Sequence, residues 1–293
     1  MLVITAPTGQ IGRQVLEKVL EGNQPVRVVV RDPGRLPQPV RERVEVVQGT
    51  HSDPAVLSEA FAGADTVFWL VPPDVRAESV EGHVLGFTRP ACDAIKDQGV
   101  RRVVGISTLG RGLAKNAGQV SAALAMDDLI EATGVAYRAL RMPGFMENML
   151  QQVMPLKAQG MFFTTVALDH KLPTCATRDI AGKAAGLLLD DSWSGQGSVP
   201  VLGPEDLSPE DQARIMTEVL GRPVRAQRVP SDGYLANLTR NGIAPGWARG
   251  LVDMATAVEE QNIYNAEPRT PENTTPTTFR QWCEEVLKPA FLS

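Results

Sequence analysis

The sequence predicts an α/β fold: a doubly wound parallel sheet with helices on both faces and a smaller mixed α/β lobe in the C-terminal part. Short β-branched runs alternate with amphipathic helical stretches through the first half of the chain. These runs are apolar almost throughout, which is typical of strands covered on both faces. A strand, a glycine-containing turn and a helix also follow one another at the start of the chain. The 293 residues suffice for a large core.

Six runs in the first half predict the strands of this sheet. They are LVIT (2–5), VRVVV (26–30), VEVVQ (44–48), DTVFWLV (65–71), RRVVGIS (101–107) and AYRALRM (136–142). Asp53-Pro54 predicts a helix start, because aspartate caps a helix and proline suits its first turn. We expect residues 1–150 to form the sheet domain, with 174–205 rejoining the sheet. Residues 151–173 and 206–293 then form the smaller lobe.

The rhythm of the sequence changes after residue 150. Ser208-Pro209 marks a strong helix start, with acidic residues in the first turn. We expect strands at 198–203 and 224–230 and two helical stretches around 231–258. A proline- and threonine-rich link at 268–278 then leads to a last amphipathic helix.

Composition excludes several classes of partner. The formal net charge is only −5, and no run of basic residues favours nucleic acid or an anionic membrane. No apolar run approaches the roughly 20 residues of a membrane span. Three widely spaced cysteines predict buried thiols in a reducing compartment and no metal site. We therefore expect a cytoplasmic protein with a small-molecule partner; monomer and homodimer both stay open.

The stretch TAPTGQIG (5–12) resembles a dinucleotide fingerprint whose first glycine is replaced by Ala6. Gly9 and Gly12 suit the approach of a pyrophosphate and the packing of helix on strand. Because Pro7 pushes the preceding residue towards extended backbone, we expect Ala6 to prolong the strand and the bend to fall at 7–9. We expect the cofactor's phosphates to meet the turn formed by Thr8, Gly9, Gln10, Ile11 and Gly12. A simple turn without a ligand is the alternative.

The end of the second strand indicates which dinucleotide binds. An acidic residue usually holds the adenine ribose of NAD there. This chain has Arg31, with Arg35 close behind, and a guanidinium binds a 2′-phosphate with paired hydrogen bonds. The sequence therefore favours NADP(H) over NAD(H), with a solvated Arg31 as the alternative. Asp32 fits a turn before Pro33 better than a ribose ligand.

Five blocks resemble the NmrA-like family of atypical short-chain dehydrogenases, which includes NADPH quinone reductases and triphenylmethane dye reductases. They are TAPTGQIG, VRDPGR, FAGADTVFWL, VRRVVGISTLG and ATGVAYRALRMPGFMEN. The resemblance implies a Rossmann-type fold and an NADP(H) cleft. It places in that cleft the turn 8–12 and Arg31, with Leu70, Val71, Pro72 and Pro73 at the tip of strand four, Ser107 and Thr108, and the Pro143–Asn148 loop with Gly144 and Phe145.

Two histidines and an acidic pair are further candidates for a functional role. We expect His51, after strand three, to contact the cofactor near its adenine without chemical work. His83, on a helical stretch, fits a structural or solvated role. Asp127-Asp128 is expected to be a solvated pair on a helix that faces the cleft.

The general acid typical of these dehydrogenases is missing. A Tyr-x-x-x-Lys pair protonates the carbonyl in short-chain dehydrogenases, yet Tyr137, Tyr234 and Tyr264 are followed four residues later by arginine, leucine and proline. A positioned acid contributes roughly a hundred- to ten-thousand-fold in rate. We therefore expect hydride transfer to acceptors that need little acid help.

The leading hypothesis is an NADPH-dependent reductase of a small quinone-, imine- or dye-like acceptor, and no catalytic residue is assigned. We expect the acceptor to contact Pro73, Phe145, Met146 and Asn148. Trp69, Met142 and Met149 are further candidates for an apolar cleft, although Trp69 and Met142 fit a core position better. The alternative is a non-catalytic NADP(H)-sensing regulator that acts through protein partners.

Overall fold

The computed structural model describes residues 1–293, and it divides into two compact units. Each unit is assembled from separate stretches of the chain. The first comprises Met1–Thr108, Ala122–Arg141 and Ile180–Val199. The second comprises Leu109–Ser121, Met142–Asp179 and Pro200–Ser293.

Twelve strands occur. They are β1 (Leu2–Thr5), β2 (Val26–Val30), β3 (Glu45–Gln48), β4 (Thr66–Trp69), β5 (Arg102–Thr108), β6 (Ala136–Met142), β7 (Gly144–Phe145), β8 (Met161–Thr164), β9 (Leu172–Cys175), β10 (Gln196–Pro200), β11 (Asp206–Leu207) and β12 (Arg225–Arg228).

Twelve α-helices connect or follow these strands. They are α1 (Gln10–Val19), α2 (Gln38–Arg41), α3 (Pro54–Phe61), α4 (Val80–Asp97), α5 (Gln119–Glu131), α6 (Val153–Gln159), α7 (Thr177–Leu189), α8 (Pro209–Leu220), α9 (Ser231–Arg240), α10 (Pro245–Glu260), α11 (Phe279–Trp282) and α12 (Lys288–Leu292).

The seven-stranded sheet has the order β10-β6-β5-β4-β1-β2-β3 and is mostly parallel. Strand β1 pairs with β2 on one side and with β4 on the other, so the winding direction reverses between β1 and β4. Helices flank the sheet, and the predicted α/β fold class is confirmed. Its core contains fully buried Phe61, Trp69, Tyr137 and Ile130.

Strand β4 ends two residues earlier than the sequence predicts. Its last residue is Trp69, because the Thr5 side chain takes over the pairing at this point. The Thr5 hydroxyl donates to the carbonyl of Phe68 (2.9 Å) and accepts from the amide of Leu70 (3.0 Å). A buried threonine at the end of β1 thus fixes where β4 gives way to a loop.

The second unit has its own small sheets and its own core. Strands β11, β9 and β7 form one sheet, and β12 pairs in parallel with β8. The core packs Phe162, Met216, Phe279 and Trp282 together, all essentially without exposure. Helix α8 begins as the sequence predicts, because Ser208 and Asp211 form a reciprocal capping box.

The proline- and threonine-rich segment 268–278, which the sequence predicts to be a link, is hydrogen-bonded to the rest of the second unit. The amide of Leu202 donates to the Asn273 carbonyl (2.9 Å), and the Leu202 carbonyl accepts from the Thr275 amide (2.7 Å). This pairing also explains why the strand predicted at 198–203 instead ends at Pro200. Asn273 and Thr275 are buried.

The three cysteines are free and buried, as the sequence predicts. Burial raises the pKa of Cys92 to about 11 and that of Cys283 to about 12, and it holds the pKa of Cys175 well above its ordinary value. None of these thiols forms a thiolate nucleophile near neutral pH. No helix combines the length and the apolar character needed to cross a membrane.

Candidate functional site: the carboxyl edge of the parallel sheet

The turn after β1 is set by a left-handed residue, and here the sequence-based expectation is wrong. Ala6 has φ +49°, whereas Pro7 predicts extended backbone for it. The amide of Gly9 donates to the Ala6 carbonyl (3.1 Å) and closes the turn. A left-handed alanine costs about 1–2 kcal/mol, so the turn overrides the local preference. The bend therefore begins at Ala6 itself.

The two glycines of the turn serve different purposes. A Cβ on Gly12 would lie 2.1 Å from the Ala6 carbonyl oxygen, so the contact of α1 with the turn requires glycine. A Cβ on Gly9 would lie 3.4 Å from the same oxygen, which is an ordinary contact. Gly9 also has φ −80° and ψ 170°, a conformation that alanine adopts readily. Nothing in the protein itself requires glycine at position 9.

The N-terminus of α1 is prepared for an anion. Gly9 caps the helix without a side chain, and the first turn contains no acidic residue. The amides of Gln10, Ile11 and Gly12 precede the first complete helical turn and therefore lack partners within the helix. These amides and the helix dipole attract negative charge to the same point.

The end of β2 presents an unpaired arginine. Arg31 and Arg35 are exposed, and no carboxylate pairs with Arg31. Asp32 is occupied, because its carboxylate accepts the amide of Gly34 (2.9 Å) and caps a short 3₁₀ turn. Asp32 is thus a turn residue, as predicted, and the guanidinium of Arg31 is available to a ligand.

Two histidines hold the loop that follows β4. His51 Nε2 lies 3.0 Å from the Leu70 carbonyl oxygen, and His83 Nε2 lies 2.8 Å from that of Pro72. His51 packs edge-on against Trp69 and Phe87, and only 6% of it is exposed. Burial lowers the pKa of His51 to about 4. A neutral His51 ring therefore donates to Leu70 and fixes the loop that also contains Val71 and exposed Pro73.

A buried carboxylate lies behind the end of β5, where the sequence predicts a solvated pair. Asp127 on α5 is fully buried, and only Asp128 is exposed. Ser107 Oγ donates to Asp127 Oδ2 (2.6 Å), and Tyr137 Oη donates to Asp127 Oδ1 (2.7 Å). Gly105 makes room for this arrangement, because a Cβ there would lie 2.3 Å from Tyr137 Oη. Thr108, the last residue of β5, is also buried.

Several predicted residues thus share one edge of the first unit. Because parallel strands end at the same edge, the turn 8–12, Arg31, His51, the Leu70–Pro73 loop and Ser107 lie along it. Sequence reasoning missed Asp127 and Tyr137, and it left His83 without a task. Local sequence gives no signal for Asp127, because its partners Ser107 and Tyr137 come from other elements.

The remaining predicted residues belong to the second unit. Gly144 and Phe145 form β7, which pairs in parallel with β9. Phe145, Met146 and Asn148 line a pocket of about 180 Å³ together with Met149, Gln152, Phe162, Phe163, Thr164, Thr174, Gln212 and Phe279. No side chain of this pocket is ionisable. Trp69 and Met142, the other cleft candidates, are core residues with 1% exposure.

Glu147, which sequence reasoning also missed, anchors the residues of this pocket. Its carboxylate accepts the amide and the hydroxyl of Thr177 (3.0 and 2.8 Å) and the indole N–H of Trp282 (3.2 Å). Glu147 lies between Met146 and Asn148 in the chain. The buried carboxylate therefore fixes the backbone from which both pocket residues project.

Comparison with known proteins shows the family of this chain. The family model described as NAD(P)H-binding matches residues 7–166. An NAD(P)H azoreductase of Xenophilus azovorans is 26% identical over 259 residues, covering 87% of this chain and 86% of the relative. The (4-alkanoyl-5-oxo-2,5-dihydrofuran-3-yl)methyl phosphate reductase of Streptomyces griseus is 27% identical, covering 97% of each chain.

A solved structure shares the fold. The NADPH-dependent quinone oxidoreductase of Escherichia coli, in complex with NADPH, superposes with a TM-score of 0.79 at 21% identity. The superposition covers 98% of this chain and 100% of that chain. This likeness shows the shared fold, whereas the family model and the reductase relatives confirm the resemblance to NmrA-like reductases.

His51 predicts an acid-sensitive stability. Below pH 6.5 the unfolded chain protonates this histidine, whereas the folded chain does so only near pH 4, so the free energy of unfolding falls as pH falls through that window. His51→Gln keeps a donor for Leu70 and removes the titration. Between pH 7 and pH 5 the wild type should lose about 2 kcal/mol more than this variant in urea unfolding.

The exposed variant Gln24→Ala serves as the control for the His51 prediction and should follow the wild type at both pH values. An equal pH-dependent loss in His51→Gln and the wild type would contradict the assignment of this sensitivity to His51.

Proposed function

The chain belongs to the NAD(P)H-binding family and is an NAD(P)H-dependent oxidoreductase, and we propose that it uses NADPH to reduce a small quinone-, imine- or dye-like acceptor without a Tyr-x-x-x-Lys pair. The observation that supports this most is Gly9. The fold does not need glycine there, but a pyrophosphate at the N-terminus of α1 does.

The residues of the first unit fit the proposed cofactor. The amides of Gln10, Ile11 and Gly12 would hold the pyrophosphate. Arg31, with Arg35 beside it, would hold the 2′-phosphate, which distinguishes NADPH from NADH. Ser107 and Thr108 end β5, and the Leu70–Pro72 loop follows β4. Both lie on the other side of β1 from Arg31 and would meet the nicotinamide half. When bound, reduced nicotinamide supplies a hydride.

The chemistry of the edge favours acceptors that need no protein acid. Tyr137 is buried and its hydroxyl donates to Asp127, so this tyrosine is not a proton donor to a ligand. Helix α5 contains no lysine. Quinones, iminium ions and cationic dyes accept hydride directly, and the protein then contributes orientation and exclusion of water. The azoreductase and the quinone oxidoreductase compared above act on acceptors of this type by name.

The acceptor pocket in this proposal is the one lined by Phe145, Met146 and Asn148. Phenylalanine and methionine walls suit flat ring systems of varied outline. The side chain of Gln152 is held in one orientation, because its amide donates to the Phe163 carbonyl (2.6 Å) and accepts from the Phe163 amide (3.0 Å). Pro73, the fourth predicted contact, belongs to the first unit and does not line this pocket.

The function is tested by consumption of NADPH with a panel of quinones, azo dyes, triphenylmethane dyes and cyclic imines, with simple ketones as the comparison. We expect turnover in the first group and none with the ketones. Tight NADPH binding without turnover on any acceptor would instead favour a non-catalytic NADP(H)-sensing regulator.

Arg31→Ala should weaken NADPH binding by roughly ten- to a hundredfold and leave NADH binding almost unchanged, because the lost hydrogen bonds are to a charged phosphate. Isothermal titration with both cofactors measures this. Arg41→Ala removes an exposed arginine from α2 and controls for net charge. Equal losses for both cofactors in Arg31→Ala would contradict the assignment.

Two glycine variants should separate binding from folding. Gly9→Ala should melt like the wild type but bind NADPH at least roughly tenfold more weakly, since the methyl group occupies the path of the phosphate. Gly12→Ala should lose about 1–3 kcal/mol of stability, since its Cβ overlaps the Ala6 carbonyl. If Gly9→Ala binds NADPH like the wild type, the proposed pyrophosphate position is wrong.

A further inference from the structure

Asp127 and Tyr137 have no task in the proposed reaction, yet both belong to one buried hydrogen-bonded group with Ser107. Three elements, β5, α5 and β6, contribute one residue each, and Gly105 leaves space for the tyrosine hydroxyl. A buried carboxylate is weak evidence for stability, because desolvation opposes the attraction of its partners. The position of the group, at the carboxyl end of β5, points to a ligand.

The hydrogen bond to Asp127 determines whether Ser107 can donate or accept towards a ligand. A serine hydroxyl has one proton and two lone pairs. The proton is directed at Asp127 Oδ2 over 2.6 Å, the short distance typical of a hydroxyl on a carboxylate. Only lone pairs remain for the ligand side, so Ser107 accepts hydrogen bonds there and does not donate.

We propose that Asp127 is a positioning residue that makes Ser107 an acceptor-only site for a hydrogen-bond donor on the nicotinamide half of the cofactor. This rests on the proposed function for the identity of the ligand. Arg31 and the adenine side lie towards β2, so the cofactor half that reaches β5 carries the nicotinamide. Its donors are the carboxamide N–H and the ribose hydroxyls.

The same geometry denies Ser107 the role of proton donor. A carbonyl oxygen that gains negative charge during reduction needs a donor, and Ser107 offers only lone pairs. The inference therefore accounts for a serine at the end of β5 in a chain that has no acid pair. It also separates Asp127, which acts through Ser107, from Tyr137, whose hydroxyl donates to the other carboxylate oxygen.

The test compares dissociation constants of NADPH and of 2′-phospho-ADP, a fragment that lacks the nicotinamide half. Ser107→Ala should weaken NADPH roughly two- to tenfold and leave the fragment unchanged. Asp127→Asn should do the same, because an amide can donate to Ser107 and turn the serine proton outward. In the Ser107→Ala background, Asp127→Asn should add no further loss.

Tyr137→Phe is the matched control within the group. It removes a hydrogen bond from Asp127 but leaves the bond to Ser107, so the melting temperature should fall while the ratio of the two dissociation constants stays constant. If the network had only a structural role, Tyr137→Phe and Asp127→Asn would change the ratio of the two dissociation constants equally. That result would overturn the inference. If Asp127→Asn does not fold, an unchanged ratio in Ser107→Ala overturns it equally.

A cofactor analogue distinguishes the two donor sources. Reduced acetylpyridine adenine dinucleotide phosphate replaces the carboxamide NH₂ by a methyl group. Loss of the Ser107→Ala effect with this analogue assigns the carboxamide as donor, and persistence of the effect assigns a ribose hydroxyl; both support the proposal. If the fragment fails to bind the wild type, the proposed cofactor position fails, whatever the Ser107 variants show.

Discussion

The turn at Ala6 is the constraint on which the rest of the candidate site depends. Its left-handed backbone directs the Ala6 carbonyl towards Gly9 and into the space that a side chain on Gly12 would occupy. Helix α1 can therefore begin only three residues after Pro7, with its free amides at the edge of the sheet. Strain of about 1–2 kcal/mol in one residue is small against the core that β1 and α1 bury. The Thr5 side chain adds a second constraint, because its bonds to Phe68 and Leu70 fix the end of β4 beside the turn.

The sequence predicts the frame of the first unit well and its details less well. Apolar β-branched runs show a parallel sheet directly, because strands buried on both faces have few alternatives. The backbone conformation of Ala6 could not be predicted from the sequence. The preference of a residue before proline for extended backbone is weaker than the stabilisation of the turn closed by the Gly9 amide. The burial of Asp127 was also not predicted.

Adjacent aspartates look like a solvated pair, yet residues 122, 126 and 130 of α5 are buried and Asp127 lies beside that stripe. Which of two neighbours points inward depends on Ser107 and Tyr137, which are distant in sequence.

Buried carboxylates recur in both units with similar surroundings. Asp127 accepts hydroxyls of a serine and a tyrosine, and Glu147 accepts a hydroxyl, an amide and an indole N–H. Each lies next to residues assigned to binding: Ser107 in the first unit, and Met146 and Asn148 in the second. A charge without water around it needs all its donors in one geometry, so these groups specify positions more than they add stability. In both cases local sequence gives no warning, because the partners come from other elements.

The hydrogen-bond donors at the carboxyl edge of the parallel sheet bear on the class of acceptor that we propose. The hydroxyls of Thr5, Ser107 and Tyr137 and the ring N–H groups of His51 and His83 all face protein oxygens. None of these five groups therefore has a proton free to give to a ligand. A simple ketone that gains a hydride becomes an alkoxide, which needs an acid at once. A quinone gives a stabilised phenolate, and an iminium ion or cationic dye gives a neutral product that needs no proton. The proposed quinone-, imine- and dye-like acceptors are compatible with these hydrogen bonds, because their reduced forms tolerate the absence of an acid.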